Sequence, residues 1–150
     1  GILFTVARTY CDDKTDRQDL IQEMMIQVWK SLDRYDNKYA ITTWLYRISL
    51  NTAISYYRKT VKHKVLNLPL ENIPEIISEE INPEKQEQLK QLEKLISELG
   101  TIDKGLMLLY LDGKSYAEIG FIMGLSSTNV GTKLGRIKEK LKLKFSQTNN

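Results

Sequence analysis

The chain has 150 residues, 41% hydrophobic and 27% charged, the proportions of a globular protein rather than a disordered one. Its longest apolar runs, such as "LMLLYL" at 106–111, are too short to cross a bilayer, and the opening "GILFTVARTY" lacks the marks of a secretory signal. One cysteine (Cys11) and one histidine (His63) exclude a Cys/His zinc site and an internal disulfide, so a reducing, cytoplasmic setting is expected, with Cys11 structural. The net charge of +3 is unevenly spread: 11 Lys/Arg against 7 Asp/Glu over 1–66, 3 against 8 over 67–100, and 8 against 4 over 101–150. Two basic blocks therefore flank an acidic connector.

Gly1 stands where an initiator methionine is expected, which suggests that part of a first helix precedes it. "DRQDLIQEMMIQVWKSLDRY" then places Leu20, Ile21, Met24, Met25, Val28, Trp29 and Leu32 on one helical stripe, with Asp16 as the expected N-cap. Asp16, Asp19 and Glu23 follow an i, i+3, i+7 spacing beside that stripe, an acidic edge that helix solubility alone would also explain. A turn at Asp36–Asn37 leads to "ITTWLYRISLNTAISYYRK", where Ile41, Leu45, Ile48, Thr52 and Tyr56 predict an apolar face. All three prolines (Pro69, Pro74, Pro83) fall within 67–83, so this is the linker. Beyond it, Leu89, Leu92, Leu95, Ile96 and Leu99 mark a helix that starts just after Pro83 and ends at Gly100. A helix from about 102 to 111 stops at Asp112–Gly113, and two more fit "SYAEIGFIM" and "STNVGTKLGRIKEKLKLKF". The fold class is all-α: two small helical domains, 1–66 and 84–150, joined by the proline-containing linker. The two units are also expected to pack together, with the acidic connector across basic faces.

"SYAEIGFIMGLSSTNVGTKL" predicts a helix-turn-helix. Ser115 and Glu118 form a capping box, Gly120 allows a close approach of the two helices, and Gly124 supplies a left-handed helix end. Ile119, Met123, Leu125, Val130 and Leu134 make the apolar contact between the helices. The second helix opens with small, polar or basic residues, as insertion in a major groove requires. Ser126, Ser127, Thr128, Asn129, Thr132, Lys133 and Arg136 are the DNA-contact candidates; Asn pairs with adenine, and Arg or Lys with guanine. A hairpin used only for packing is the alternative.

Residues 38–70 contain no Asp or Glu, yet hold Lys38, Arg47, Arg58, Lys59, Lys62 and Lys64 interleaved with Tyr39, Trp44, Tyr46, Tyr56 and Tyr57. Cations bind phosphates, and aromatic faces add stacking worth roughly 1–3 kcal/mol per unstacked base, so the pattern points to single-stranded nucleic acid. A core role for Trp44 and Tyr56, with a merely solvated basic face, is the competing reading. No metal set, nucleophile–base pair or phosphate-binding glycine loop stands out, so no catalysis and no cofactor are expected.

Residues 16–59 resemble the second conserved region of bacterial sigma factors of the extracytoplasmic-function (ECF) group, and "LISELGTIDKGLMLLYLDGKSYAEIGFIMGLSSTNVGTKLGRIKEKLK" resembles their fourth, together roughly 95 of the 150 residues. The resemblance implies a transcription initiation factor whose partners are core RNA polymerase and promoter DNA. It implies that Asp16, Asp19, Leu20, Gln22, Glu23 and Trp29 dock on the polymerase clamp helices. Asn37, Lys38, Tyr39, Thr43, Trp44, Arg47, Asn51, Arg58 and Lys59 would open and capture the −10 element, and the helix-turn-helix would read the −35 element. It also implies a partner anti-sigma factor; no direct membrane insertion and a monomeric active form are expected. The chain departs from the family in a shortened N-terminal helix and in Gly120, where alanine is usual and the exchange is expected to leave packing intact. Gly131 and Gly135 in the recognition helix each cost about 1 kcal/mol. Two rivals remain: a stand-alone helix-turn-helix regulator binding palindromic duplex as a dimer, and a nuclease with Asp12, Asp13, Asp16 and Asp19 around magnesium.

Overall fold

The computed structural model describes residues 1–64 and 82–148, and all regular structure among them is helical. Seven α-helices follow in order: α1 (Ile2–Tyr10), α2 (Lys14–Ser31), α3 (Ile41–Lys64), α4 (Pro83–Ser97), α5 (Thr101–Leu111), α6 (Tyr116–Met123) and α7 (Ser127–Thr148), with a 3-10 turn at Leu32–Arg34 after α2. Most of the expected linker lies outside the described residues; its last position, Pro83, is the first residue of α4, capped by the Asn82 side chain.

In the first unit, α1 and α2 both pack on α3. α1 buries Val6, Ala7 and Tyr10 within this packing. Asp13, not Asp16, caps α2, because its carboxylate reaches forward to accept from the Asp16 backbone N–H at 3.0 Å; Asp16 sits in the first turn instead. Arg17 fastens the α1–α2 corner, donating to the carbonyls of Cys11 (3.2 Å) and Asp12 (3.0 Å).

The buried face of α3 is rotated from the expected one. Thr43, Tyr46, Ser49, Leu50, Ala53 and Ile54 are buried, whereas Ile41 is exposed and Leu45, Ile48, Thr52 and Tyr56 are only half-buried. The cause is that α3 touches α1, α2, α5 and α6, so it is covered from several directions and small residues such as Thr43, Ser49 and Ala53 let neighbours approach. An apolar stripe predicts burial well only when one face is covered.

In the second unit, α5 is the central helix, burying Leu106, Met107 and Leu109 between α4, α6 and α7. Gly100 serves as the N-cap of α5 rather than as the end of α4. The helix-turn-helix is built as its local chemistry dictates. Ser115 Oγ accepts from Glu118 N–H at 3.1 Å while Glu118 Oε2 accepts from Ser115 N–H at 3.3 Å, the reciprocal capping box. Gly124 ends α6 at φ +72°, a left-handed conformation that a Cβ disfavours. Ile119, Val130 and Leu134 are wholly buried where α6 meets α7. Gly120 corrects the expected interchange with alanine: a Cβ there would collide with the backbone carbonyl of Leu125.

The units pack directly on one another: α6 lies on α3, and α5 touches α1 and α3. Tyr10 Oη donates to the Thr101 carbonyl at 2.5 Å, and Tyr46 Oη donates to Asp112 Oδ2 at 3.0 Å. Lys104, only 7% exposed, lies between the rings of Tyr10 (5.9 Å) and Tyr57 (5.4 Å).

Candidate nucleic-acid and protein interfaces

Three surfaces carry the candidate residues. The first is the outer side of α2. The inner side of this helix buries Leu20 and Met24, but Met25, Ile26, Trp29 and, just beyond the helix, Leu32 stay exposed, Trp29 at 78%. Together with Leu3, Val28 and Leu45, three of them line a shallow apolar groove of about 270 Å³. Contiguous exposed apolar surface is uncommon on globular proteins and marks interaction sites more often than isolated exposed residues do. Asp19 and Gln22 are exposed beside it, and Asp16 and Glu23 are half-exposed. Glu23 Oε1 also accepts from Gln27 Nε2 at 3.0 Å, which holds the carboxylate along the helix edge. Leu20 is a correction: its side chain is wholly buried, so it supports α2 from within and presents nothing to a partner. Met25 and Leu32 of the expected apolar stripe belong to this exposed surface, as does Ile26, which that stripe does not include.

The second surface runs from the turn after α2 along α3. Asn37 adopts φ +62°, the only described non-glycine residue with positive φ, and this reverses the chain. The Asp36 carboxylate accepts from Lys38 N–H at 3.1 Å, and Tyr35 Oη donates to the Tyr39 carbonyl at 2.9 Å, so the turn is held from both sides. Trp44 is half-buried with its ring 5.1 Å from that of Tyr35, partly core and partly accessible. Asn37, Lys38, Asn51, Arg58 and Lys59 are exposed. Thr43 corrects the expected set: at 3% exposed it is an interior residue in this arrangement. Tyr39 and Arg47 are present at the surface but occupied. The Tyr39 ring stacks on Phe121 of α6, with centroids 3.7 Å apart and planes 20° apart, and the Arg47 guanidinium lies 4.6 Å from the centroid of the same Phe121 ring. Phe121, absent from the sequence reading, is thus a functional neighbour supplied by the other unit.

The electrostatics of this junction follow from burial. Desolvation first, then the hydrogen bond to Asp112 and the charge of that carboxylate, push the Tyr46 hydroxyl up to about 12. Burial pushes Lys104 below its ordinary value, against the opposing pull of the Asp12 carboxylate.

The third surface is the start of α7. Ser126 Oγ caps it, accepting from Asn129 N–H at 3.1 Å, so its hydroxyl is already engaged. Ser127, Thr128, Asn129, Thr132 and Arg136 are exposed and Lys133 half-exposed, all within three turns. Lys133 and Arg136, with Lys140 and Asp103, line a polar depression of about 210 Å³. Tyr116 packs near Gly131, 3.4 Å from where a Cβ would stand, an ordinary contact distance, so packing leaves room for a larger residue there. The fold explains nothing about Gly135.

Among the described residues, Asp12, Asp13, Asp16 and Asp19 form no group able to hold a metal ion, and no helix is long and apolar enough to cross a membrane. The described residues form an all-helical protein with one exposed apolar face on α2 and exposed cations along α3 and at the start of α7.

Comparison with known proteins matches two separate stretches of the chain. Residues 1–63 match the family described as Sigma-70 region 2, and residues 89–141 match Sigma-70, region 4. The RNA polymerase sigma factor CnrH of Cupriavidus metallidurans is 31% identical over 149 residues, covering 93% of this chain and 78% of its own length. The ECF RNA polymerase sigma-E factor of Escherichia coli is 32% identical over 140 residues, covering 84% and 72%. Among solved structures, the sigma factor RpoE in complex with the anti-sigma factor NepR from Bartonella quintana shares the fold, with TM-score 0.75 at 17% identity over 99% of this chain and 91% of that one. The chain belongs to the sigma-70 family, in its ECF group, and is a promoter-recognising RNA polymerase sigma factor. The region 2 match does not favour a stand-alone dimeric regulator, which would have no use for the first unit.

Proposed function

We propose that this sigma factor divides its work as its surfaces do. The exposed groove of Met25, Trp29 and Leu32, together with Asp16, Asp19, Gln22 and Glu23 on the same helix, docks on core RNA polymerase. The turn and helix from Asn37 to Lys59 capture unstacked −10 bases, with Tyr39 and Trp44 as stacking platforms and Lys38, Arg47, Asn51, Arg58 and Lys59 on the backbone and base edges. The start of α7 reads the −35 duplex through Asn129, Lys133 and Arg136. Residues 1–66 and 84–150 act as two modules, and tethering turns two weak contacts into one tight event. The active form is a monomer. An anti-sigma factor is the expected regulatory partner, since the similar fold of RpoE is known in complex with one.

The observation that carries this reading is Trp29, a tryptophan 78% exposed within an apolar groove. Buried tryptophans at interface centres are typical hot spots worth about 2 kcal/mol or more. Trp29→Ala is expected to weaken core polymerase binding by roughly 30-fold or more in a fluorescence titration, with helicity unchanged. Unchanged affinity removes α2 from the docking surface.

A further inference from the structure

The contact between Phe121 and Tyr39 has a chemical meaning beyond packing. Two rings 3.7 Å apart and 20° from parallel have the geometry of a nucleobase stacked on a tyrosine. The Arg47 guanidinium carbon stands over the same Phe121 ring, 4.6 Å from its centroid, as it could over a base. One face of Tyr39 cannot hold Phe121 and a base together. Nearby, Tyr46–Asp112 and Tyr10–Thr101 hydrogen bonds tie the units together, and Lys114 Nζ stands 5.5 Å from the Tyr46 ring centroid. At the start of α7, by contrast, Ser127, Thr128, Asn129, Thr132 and Arg136 are exposed.

We infer that Phe121 is an intramolecular base mimic: in the free chain α6 closes over the base-capturing face of α3, and this closed form is autoinhibited for single-stranded DNA while its duplex-reading helix remains open. The inference rests on the assignment of the α3 face to exposed bases. Closure and base capture compete for Tyr39 and Arg47, so the apparent affinity for a single strand is the intrinsic affinity reduced by the fraction of open chains. Polymerase or a strand that separates the units raises that fraction, which confines base capture to the assembled complex.

The test uses the full chain with two readouts. Spin labels on cysteines replacing Ser55 of α3 and Ala117 of α6, both exposed, report the separation of the units. A fluorescent mixed-sequence 20-nucleotide single-stranded DNA reports base capture by anisotropy. In the parent chain a single short distance is expected. Phe121→Ala should lengthen and broaden it and tighten DNA binding by roughly threefold to tenfold. Asp112→Ala, at an exposed helix end, should shift both in the same direction by less and guards against a folding defect in Phe121→Ala. Adding Tyr39→Ala to Phe121→Ala should abolish the gain. A long or broad distance in the parent chain, or one unmoved by both variants, overturns closure whatever the α3 face binds. Opening without tighter DNA binding overturns the inhibitory role. If Tyr39→Ala then leaves DNA binding unchanged in the open variant, the base-capture assignment itself has failed.

Discussion

Tyr39 in the turn before α3 and Arg47 on α3 are both committed to Phe121, whereas on α7 Ser127, Thr128, Asn129 and Arg136 all meet solvent. Both faces are basic and both are proposed to hold nucleic acid, yet one is covered and the other is not. The difference follows from the ligand. A duplex reader needs small polar side chains and cations, which have little reason to pack against protein. A reader of unstacked bases needs flat apolar rings, and any accessible ring of another unit is a competitor for them. A single-strand face is therefore the one that a fold can occlude from within.

The strongest way to sharpen this comparison is to damage the open face alone. Lys133→Ala with Arg136→Ala is expected to weaken duplex −35 binding by about tenfold or more and to flatten the salt dependence by nearly two charges. Polymerase affinity and single-strand binding should hold. A duplex footprint unaltered by the pair removes both from the reader.

A smaller effect is expected at the turn that aims the open face. Gly120→Ala forces the Leu125 carbonyl to move, at a cost of about 1–3 kcal/mol that its gain in helix propensity only partly offsets. The melting temperature should fall by several degrees, as read by circular dichroism, with duplex binding falling alongside. An unchanged melt would show that the turn yields freely.

The covered face has its own signature in alkali. The folded chain holds the Tyr46 proton up to about 12, while an exposed tyrosine releases its proton near 10. A raised folded pKa gives stability that is complete below about pH 10 and lost as pH rises toward 12. Melting temperature measured across this window should therefore fall more steeply for the parent chain than for Tyr46→Phe. Parallel curves would mean that the Asp112 bond is not kept in solution.

The smallest effect concerns Lys104. Its ammonium is buried between two rings and burial lowers its pKa, so the charged form opposes folding at neutral pH. An apolar side chain of similar length removes that cost, and Lys104→Met should raise the melting temperature by about 2–4 °C. A fall would assign the site net favourable cation–π energy instead.

How far the sequence alone was legible depends on the range of the forces involved. The helix-turn-helix was read almost residue by residue, because its capping box and the left-handed Gly124 are set within a few positions. The basic, aromatic stretch was legible as chemistry but not as placement. Thr43 turned out buried because α3 is covered from several sides, and Leu20 because one stripe of α2 serves both core and surface. Asp13 took the capping role expected of Asp16, a shift decided by how α1 ends at Cys11. The weight of α1 could have been seen in the spacing of Leu3, Val6, Ala7 and Tyr10. Phe121 on Tyr39 could not, since 82 positions of chain separate them and only tertiary packing brings them together.

The account stands most directly on one measurement: titration of the full chain into core RNA polymerase, followed by transcription from genomic promoter fragments. It predicts saturable binding to core and specific start sites that core alone does not produce. Failure to bind core, with a two-fold-symmetric footprint on duplex by a dimer, would contradict it.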